Sequence, residues 1–335
     1  MDRRKFIKSS VSTGVALGVS PYLLQIQAMD ITEKSIGVIG LDTSHSVAFS
    51  KIINQATGDS PLAGFRVTHA YSQGSMDIES SVSRIPGYTE EIKKLGVVVE
   101  SSLESMLEKV DFVLLETNDG RPHLAQAMKV FEAGKPVFID KPVAASLEDV
   151  VEIYKAAEKY KVPVFSSSSL RYSPTTQEAA SGKKIGEILG ADTFSPAKLE
   201  PTHPDFYWYG IHGIESLFTL MGKGCVQVRR ISTEGMDVVI GEWADGKIGT
   251  FRGIRDGHQG YGGTAYGTTG VSPAGLYEGY EHLVIEIIRF FKTGVPPVSK
   301  AETLEIYAFM TAADVSKRKG GKPVNIADVL KKAGG

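Results

Sequence analysis

The chain predicts an α/β fold: a parallel N-terminal sheet with helices on both faces, followed by an α+β part built on a mainly antiparallel sheet. Two rhythms carry this reading. From residue 34 to about 170, short apolar runs alternate with amphipathic stretches of roughly 10–15 residues, the signature of βαβ units. Beyond about residue 171, strand-like runs follow one another without helices between them, which builds antiparallel pairs. The length of 335 residues suits two such parts, on a prior of roughly 100–200 residues per domain. The expected boundaries are therefore 34–170 and 171–330.

The elements follow in order. Residues 35–40 (SIGVIG) read as the first strand and 45–57 as the helix after it; 65–71 (FRVTHAY) is the second strand. Residues 90–95 lead through the valines at 97–99 into a short helix over 101–109. Ser101 or Ser102 can cap that helix, because a serine hydroxyl accepts from a free first-turn N–H. The run FVLL at 112–115 is a strand, and 122–133 is a helix closed by Gly134, whose missing Cβ permits the left-handed exit. Residues 137–139 (VFI), 147–160 and 162–166 read as strand, helix and strand. In the second part 226–232, 237–243 and 249–254 are strands, with ADGK at 244–247 as a hairpin turn. Residues 256–277, rich in Gly, Thr and Tyr and without periodicity, read as a long loop, a kind that is usually functional. Amphipathic helices at 281–293 and 303–317 are expected to return and pack on the first domain.

The first 28 residues are set aside. Arg3, Arg4, Lys5 and Lys8 precede an apolar stretch from 11 to 24 that ends near Ala28, the layout of a signal peptide. The twin arginines resemble a Tat signal, with Asp2 where Ser or Thr is more usual. This predicts export to the periplasm with cleavage near Ala28. The apolar run is shorter than the ~20 residues of a membrane span, so no integral span is expected. Without Arg3, Arg4, Lys5, Lys8 and Asp2 the formal charge moves from −2 to −5. A mildly acidic protein lacks the basic stripe that nucleic acid requires. Cys225 is the one cysteine, so neither an internal disulfide nor a cysteine metal cluster can form.

Candidate chemistry gathers at strand ends. In 137–144 (VFIDKPVA), Asp140 and Lys141 follow an apolar strand and Pro142 stops the ladder. Ligands of open α/β sheets bind at such carboxyl ends, where an ammonium can reach a substrate oxygen. The first strand leads through Gly40 to Asp42, Ser44 and His45. A glycine turn opening a helix offers N–H groups to a pyrophosphate. Here only Gly40 holds a glycine position; Asp42 and His45 stand where the second and third glycines belong, and a carboxylate there repels phosphate. The second strand ends in YSQGS, with no acid before Asp77 to bind a ribose 2′-OH; the hydroxyls and amide of Ser72 and its neighbours suit a 2′-phosphate, but no Arg accompanies them. NAD and NADP both stay open. Asp42, Ser44 and His45, joined by His69 or His123, also raise a divalent metal. The spacing matches no dedicated metal motif, and Asp42 as a helix N-cap with His45 packed in the first turn is the favoured reading, so no metal ligand is assigned.

The ordered series DFVLLETN (111–118), HLAQA (123–127), AGKPV (133–137), DKP (140–142), LRYSP (170–174) and IGEI (185–188) resembles the Gfo/Idh/MocA family of glucose–fructose oxidoreductase and inositol dehydrogenase relatives. The resemblance covers nearly all of 34–330. It implies a Rossmann-like dinucleotide-binding domain over 34–170, a substrate and oligomerisation domain over 171–330, and a homo-oligomer formed through the C-terminal sheet. It places Lys141 at the family's catalytic lysine, with Asp140 in place of Glu, between nicotinamide and substrate. Glu116, Thr117 and Asn118 fall at the strand end beside the cofactor, and His123 and Arg171 match family positions. His212 in WYGIHGIE (208–215) matches the family histidine, the candidate acid/base because imidazole titrates near neutrality. Trp208 stands where the family has Asp; Asp205 and Glu215 are the nearest carboxylates, and Glu215 shares a helical face with His212. Tyr207, Trp208 and Tyr209 suit stacking on a sugar ring. Glu116, Arg171, Tyr172, Trp208 and Glu215 are the candidate substrate contacts.

Three functions compete. The first is an exported NAD(P)-dependent oxidoreductase acting on a sugar, cyclitol or glycoside, its cofactor tightly held and Lys141 and His212 handling the proton. The second is a sugar-binding or metal-assisted lyase or hydrolase without a working dinucleotide site, with Asp42, His45 and Glu116 as ligands. The third is a noncatalytic oligomeric partner.

Overall fold

The computed structural model describes residues 33–335, which form one unit containing two sheets. The expected signal segment, 1–28, lies outside the described residues. The first sheet is laid down by β1 (Lys34–Ile39), α1 (Ser44–Asn54), β2 (Phe65–Tyr71), α2 (Glu79–Val82), α3 (Ile85–Lys94), β3 (Val98–Glu100), α4 (Leu103–Leu107), β4 (Phe112–Leu115), α5 (His123–Glu132), β5 (Val137–Ile139), α6 (Leu147–Tyr160) and β6 (Val164–Phe165). A 3-10 turn over Ser169–Tyr172 leads onward. The second part holds α7 (Pro174–Ala180), β7 (Ile188–Pro196), α8 (Ile211–Met221), β8 (Cys225–Ser232), β9 (Met236–Trp243), β10 (Ile248–Ile254), β11 (Gly262–Gly267), β12 (Val271–Ala274), α9 (Glu281–Thr293), α10 (Lys300–Arg318), β13 (Val324–Asn325) and α11 (Ile326–Lys332).

The first sheet has six parallel strands in the order β3-β2-β1-β4-β5-β6, a Rossmann arrangement whose order reverses between β1 and β4. Its strands are nearly continuous apolar runs because both faces are covered. One face packs Val38, Leu114 and Phe138 against α1 and α9, with Leu283, Ile287 and Phe290 of α9 in that core. The other face buries Ile39, Val113 and Leu115 among residues of α5 and α6. The closing helix α9 thus returns to the first sheet as its amphipathic pattern predicts. Ser102 caps α4, accepting from the Ser105 N–H at 3.1 Å.

The second sheet runs β12-β11-β7-β10-β9-β8-β13. It is mixed: β10 pairs parallel to β7 and every other pairing is antiparallel. The expected loop over 256–277 is instead largely a hairpin, β11 and β12, paired to β7. Its glycines obscured the strand pattern, yet packing requires them. A Cβ at Gly262 would stand 2.5 Å from the Phe194 ring and one at Gly263 2.4 Å from the Asp192 carbonyl oxygen, so glycine lets these strands close. No helix among the described residues is long and apolar enough to cross a membrane.

Candidate active site at the strand mouths

The carboxyl ends of β1, β4 and β5 meet at the point where the strand order reverses. Gly40 has φ +91°, and a Cβ there would lie 2.4 Å from the Thr117 nitrogen. Only glycine lets the β1 turn rest on the end of β4 in this way. Asp42 then turns inward. Its carboxylate accepts from the Asn118 N–H at 3.0 Å and the Ser81 hydroxyl at 2.6 Å. Burial raises its pKa, with those two hydrogen bonds pulling the other way. The expected repulsion of a phosphate is thereby relieved, because this carboxyl faces β4 and α2. The cap of α1 is Thr43, not Asp42: the Thr43 Oγ1 accepts from the His45 N–H.

His45 leaves the first turn of α1 toward β5. Its Nδ1 lies 2.8 Å from Asp140 Oδ2, and its ring stacks on Phe49 and meets the edge of Tyr280. Lys141 Nζ stands 3.6 Å from the same Asp140 oxygen. Burial works to raise the Asp140 pKa, but the His45 and Lys141 charges and the bond to His45 hold it well below the usual carboxylate range. Glu116, at the end of β4, is fully buried, and neither of its oxygens has a hydrogen-bond partner among the described residues. Burial and the neighbouring Asp140 push its pKa well up.

The facing wall comes from the start of α8, the residues just before it, and the segments on either side of the β11–β12 hairpin. His212 sits in the first turn of α8, its Nδ1 2.8 Å from the Ser168 hydroxyl and its ring flanked edge-on by Tyr209 and Tyr261. Burial, reinforced by the Lys141 charge, lowers its pKa well below the ordinary imidazole value, so the ring is neutral near pH 7. Between the walls lies a cavity of about 370 Å³. Ser44, His45, Asn118 and Lys141 line it from one side, and Trp208, Tyr209, His212 and Tyr261 from the other. That volume falls within the range of about 300–1,000 Å³ typical of small-molecule sites.

Of the residues singled out from sequence, Ser44, His45, Asn118, Lys141, Trp208, Tyr209 and His212 line this cleft together, whereas Tyr207 is buried against Tyr307. Asp42, Asp140 and Glu116 do not line it but adjoin residues that do, Asp42 through Asn118 and the other two through His45, and Gly40 rests on Thr117. Others are committed elsewhere. His123 is fully buried, with one ring nitrogen 2.7 Å from the Thr117 carbonyl oxygen and the other 3.1 Å from that of Val143. The Thr117 hydroxyl accepts from Gln126 at 3.0 Å. Arg171 binds Glu215 through Nε at 2.8 Å and reaches Glu302 at 2.7 Å. Glu215 is therefore no partner of His212; Arg171 and Ser167 hold it. Ser72, Arg171, Tyr172 and Glu215 are outside the lining. The metal set weighed from sequence also changes: His45 and Glu116 gather with Asp140, not with Asp42. Sequence reasoning missed Tyr261, Tyr277, Tyr280, Arg84 and Lys198, all of which line the cleft. The signal for the first two was the tyrosine content of 256–277.

Comparison with known proteins agrees with this architecture. Residues 34–168 match the profile of the Gfo/Idh/MocA oxidoreductase family, described as an NAD-binding Rossmann fold. The uncharacterized oxidoreductase YhhX of Escherichia coli K12 is 27% identical over 135 residues, which are 37% of this chain. The match spans 39% of that relative's own length. Among solved structures, a probable dehydrogenase from Thermotoga maritima superposes with a TM-score of 0.72 at 19% identity, covering 88% of this chain and 99% of its own. The scyllo-inositol dehydrogenase of Lactobacillus casei, crystallised with NAD(H) and scyllo-inositol, gives 0.70 at 16% identity, with 88% and 99% covered. These two share the fold across both sheets. Residues 34–168 are thus similar to the NAD-binding Rossmann domain of the Gfo/Idh/MocA oxidoreductase family, and the fold beyond them is that of the solved structures.

Proposed function

We propose that the chain is an NAD(P)-dependent oxidoreductase that interconverts a hydroxyl and a ketone on a sugar, cyclitol or glycoside. The observation that carries this reading is that Lys141, just after β5, and His212 of α8 line one cleft. The residues present fit the cofactor. The first turn of α1 borders the cleft through Thr43 and Ser44, and the leading N–H groups of a helix attract phosphate. The Asp42 carboxyl is turned away from that turn. Thr43, Ser44 and Asn118 would hold the dinucleotide, with Lys141 beside its reactive end. When bound, the nicotinamide supplies the hydride acceptor or donor.

The protein's own groups manage the oxygen. Neutral His212 can take the hydroxyl proton through its free ring nitrogen while Ser168 fixes the other, the arrangement a general base needs. The Lys141 ammonium steadies negative charge on the reacting oxygen. Trp208, Tyr209 and Tyr261 line the cleft and suit the C–H face of a sugar ring. A panel of polyols and keto-sugars with each nicotinamide cofactor, followed by nicotinamide absorbance, tests the assignment. Turnover with one member supports it, and none with any member under either cofactor opposes it.

The chain is exported through its first 28 residues; the twin arginines support this, and N-terminal sequencing of secreted protein checks it. A second copy covers the outer face of the second sheet, where Ile231, Ile248, Tyr266 and Val271 are exposed. Sedimentation of wild type against Ile248→Lys reads that contact.

A further inference from the structure

We propose that His45, Glu116 and Asp140 bind a divalent transition-metal ion at the floor of the cleft. The three residues come from three segments, the first turn of α1 and the ends of β4 and β5. One donor atom from each lies within 4.8 Å of the others. All three are buried, with relative exposures of 9%, 0% and 1%.

What points to a ligand is the state of the carboxylates. Both Glu116 oxygens and Asp140 Oδ1 are buried without any hydrogen-bond donor among the described residues. A buried carboxylate with no partner is among the costliest arrangements a protein interior can hold. The nearby cation does not relieve it, because Lys141 Nζ is 3.6 Å from Asp140 Oδ2 and leaves the other three oxygens unserved. The one bond within the group, His45 to Asp140 Oδ2 at 2.8 Å, likewise leaves them free. A dication between Glu116 and Asp140 satisfies the orphaned oxygens, balancing the Asp140 charge and that of Glu116 as it gives up its proton to ligate.

The donor set selects the ion. One imidazole nitrogen and two carboxylate oxygens suit Zn²⁺, Mn²⁺, Fe²⁺ or Co²⁺, whereas Ca²⁺ takes about 6–8 oxygens. The His45 ring is fixed by Phe49 and Tyr280, as a preorganised ligand should be. Three protein ligands leave coordination positions open, and His45 borders the cleft. Those positions can take water or a substrate oxygen. The site stands apart from the hydride reading, since its readout is metal content.

The full chain, stripped with a chelator and dialysed, is titrated with Zn²⁺ and with Mn²⁺, and bound metal is counted by elemental mass spectrometry. The expected result is one ion per chain. Affinity should fall tenfold or more, of the order seen when metal-site groups are lost, in both Glu116→Gln and His45→Gln. Asp42→Asn, which leaves the three ligands in place, should bind as wild type. Absence of stoichiometric metal, or binding unchanged in both ligand variants, overturns the proposal. Should those variants fail to fold, Co²⁺ added to the stripped wild-type chain reads the site directly. An absorption spectrum distinct from aqueous Co²⁺ and saturating at one equivalent supports it, and an unchanged aqueous spectrum overturns it.

Discussion

Replacing Arg171 by methionine separates a structural tie from a substrate contact. Arg171 is nearly fully buried; its Nε is 2.8 Å from Glu215 and a terminal nitrogen 2.7 Å from Glu302. Methionine retains the apolar volume of the stem and removes only the charge. Glu215, 4% exposed, would keep its bond from Ser167 but lose its counter-ion. Glu302, at the edge, can turn to water. Breaking a buried pair from one side costs about 3–5 kcal/mol. At roughly 2 °C per kcal/mol for a protein of this size, the melting temperature should fall by about 6–10 °C. The double variant Arg171→Met/Glu215→Leu should recover most of that loss, because an apolar pair is close to neutral in place of a buried ion pair. Differential scanning calorimetry reads the stability, and steady-state kinetics on the responding polyol reads the site. Since neither residue lines the cleft, KM should move by less than about threefold, with the loss in kcat as α8 shifts His212. An unchanged melting temperature with KM raised tenfold or more would refute the reasoning and make Arg171 a substrate ligand.

Three further outcomes follow from the same geometry. Lys141→Met should lower kcat/KM by about 10²–10⁴ while nucleotide binding, measured by fluorescence, is retained; full activity removes the lysine from the mechanism. Asp42→Asn should unfold in urea within about 1 kcal/mol of wild type, because an amide can still serve the Asn118 N–H and Ser81, whereas Asp42→Ala should lose about 1–3 kcal/mol. Burial and Lys141 depress the His212 pKa in the folded chain, so between that value and the unfolded ~6.5 the unfolded state binds more protons. The His212 contribution is thus complete above about pH 6.5 and is lost as pH falls below it. Urea midpoints at two pH values should show this loss in wild type and less of it in His212→Gln. An equal loss in both would contradict the assignment.

The first sheet was legible because strands buried on both faces write continuous apolar runs, as VFI and FVLL do. The second was harder for a physical reason. β7 (ILGADTFSP) carries Gly, Asp and Pro, and its partner β11 is half glycine to admit Phe194, so neither has the alternation that marks a strand. At the site, Lys141 and His212 were visible as residue types in an ordered series of motifs. Which side chains serve them was not. Glu215 sits three residues from His212 in sequence, yet its carboxylate pairs with Arg171, 44 positions away. Asp42 has the composition of a cap, but the preceding turn points it inward and leaves that role to Thr43. Such pairings depend on how β1, β4 and α2 stack, which local spacing does not encode.

The most direct test of the hydride reading is isotopic. The purified full chain is given a reduced nicotinamide carrying deuterium at the ring carbon that donates hydride, together with keto-sugars and keto-inositols, and the products are analysed by mass spectrometry. The cleft described here predicts deuterium on the new carbinol carbon of one product, and at least a hundredfold less of it with Lys141→Met. No deuterium transfer to any ketone, with no nicotinamide bound by the wild-type chain, would contradict it.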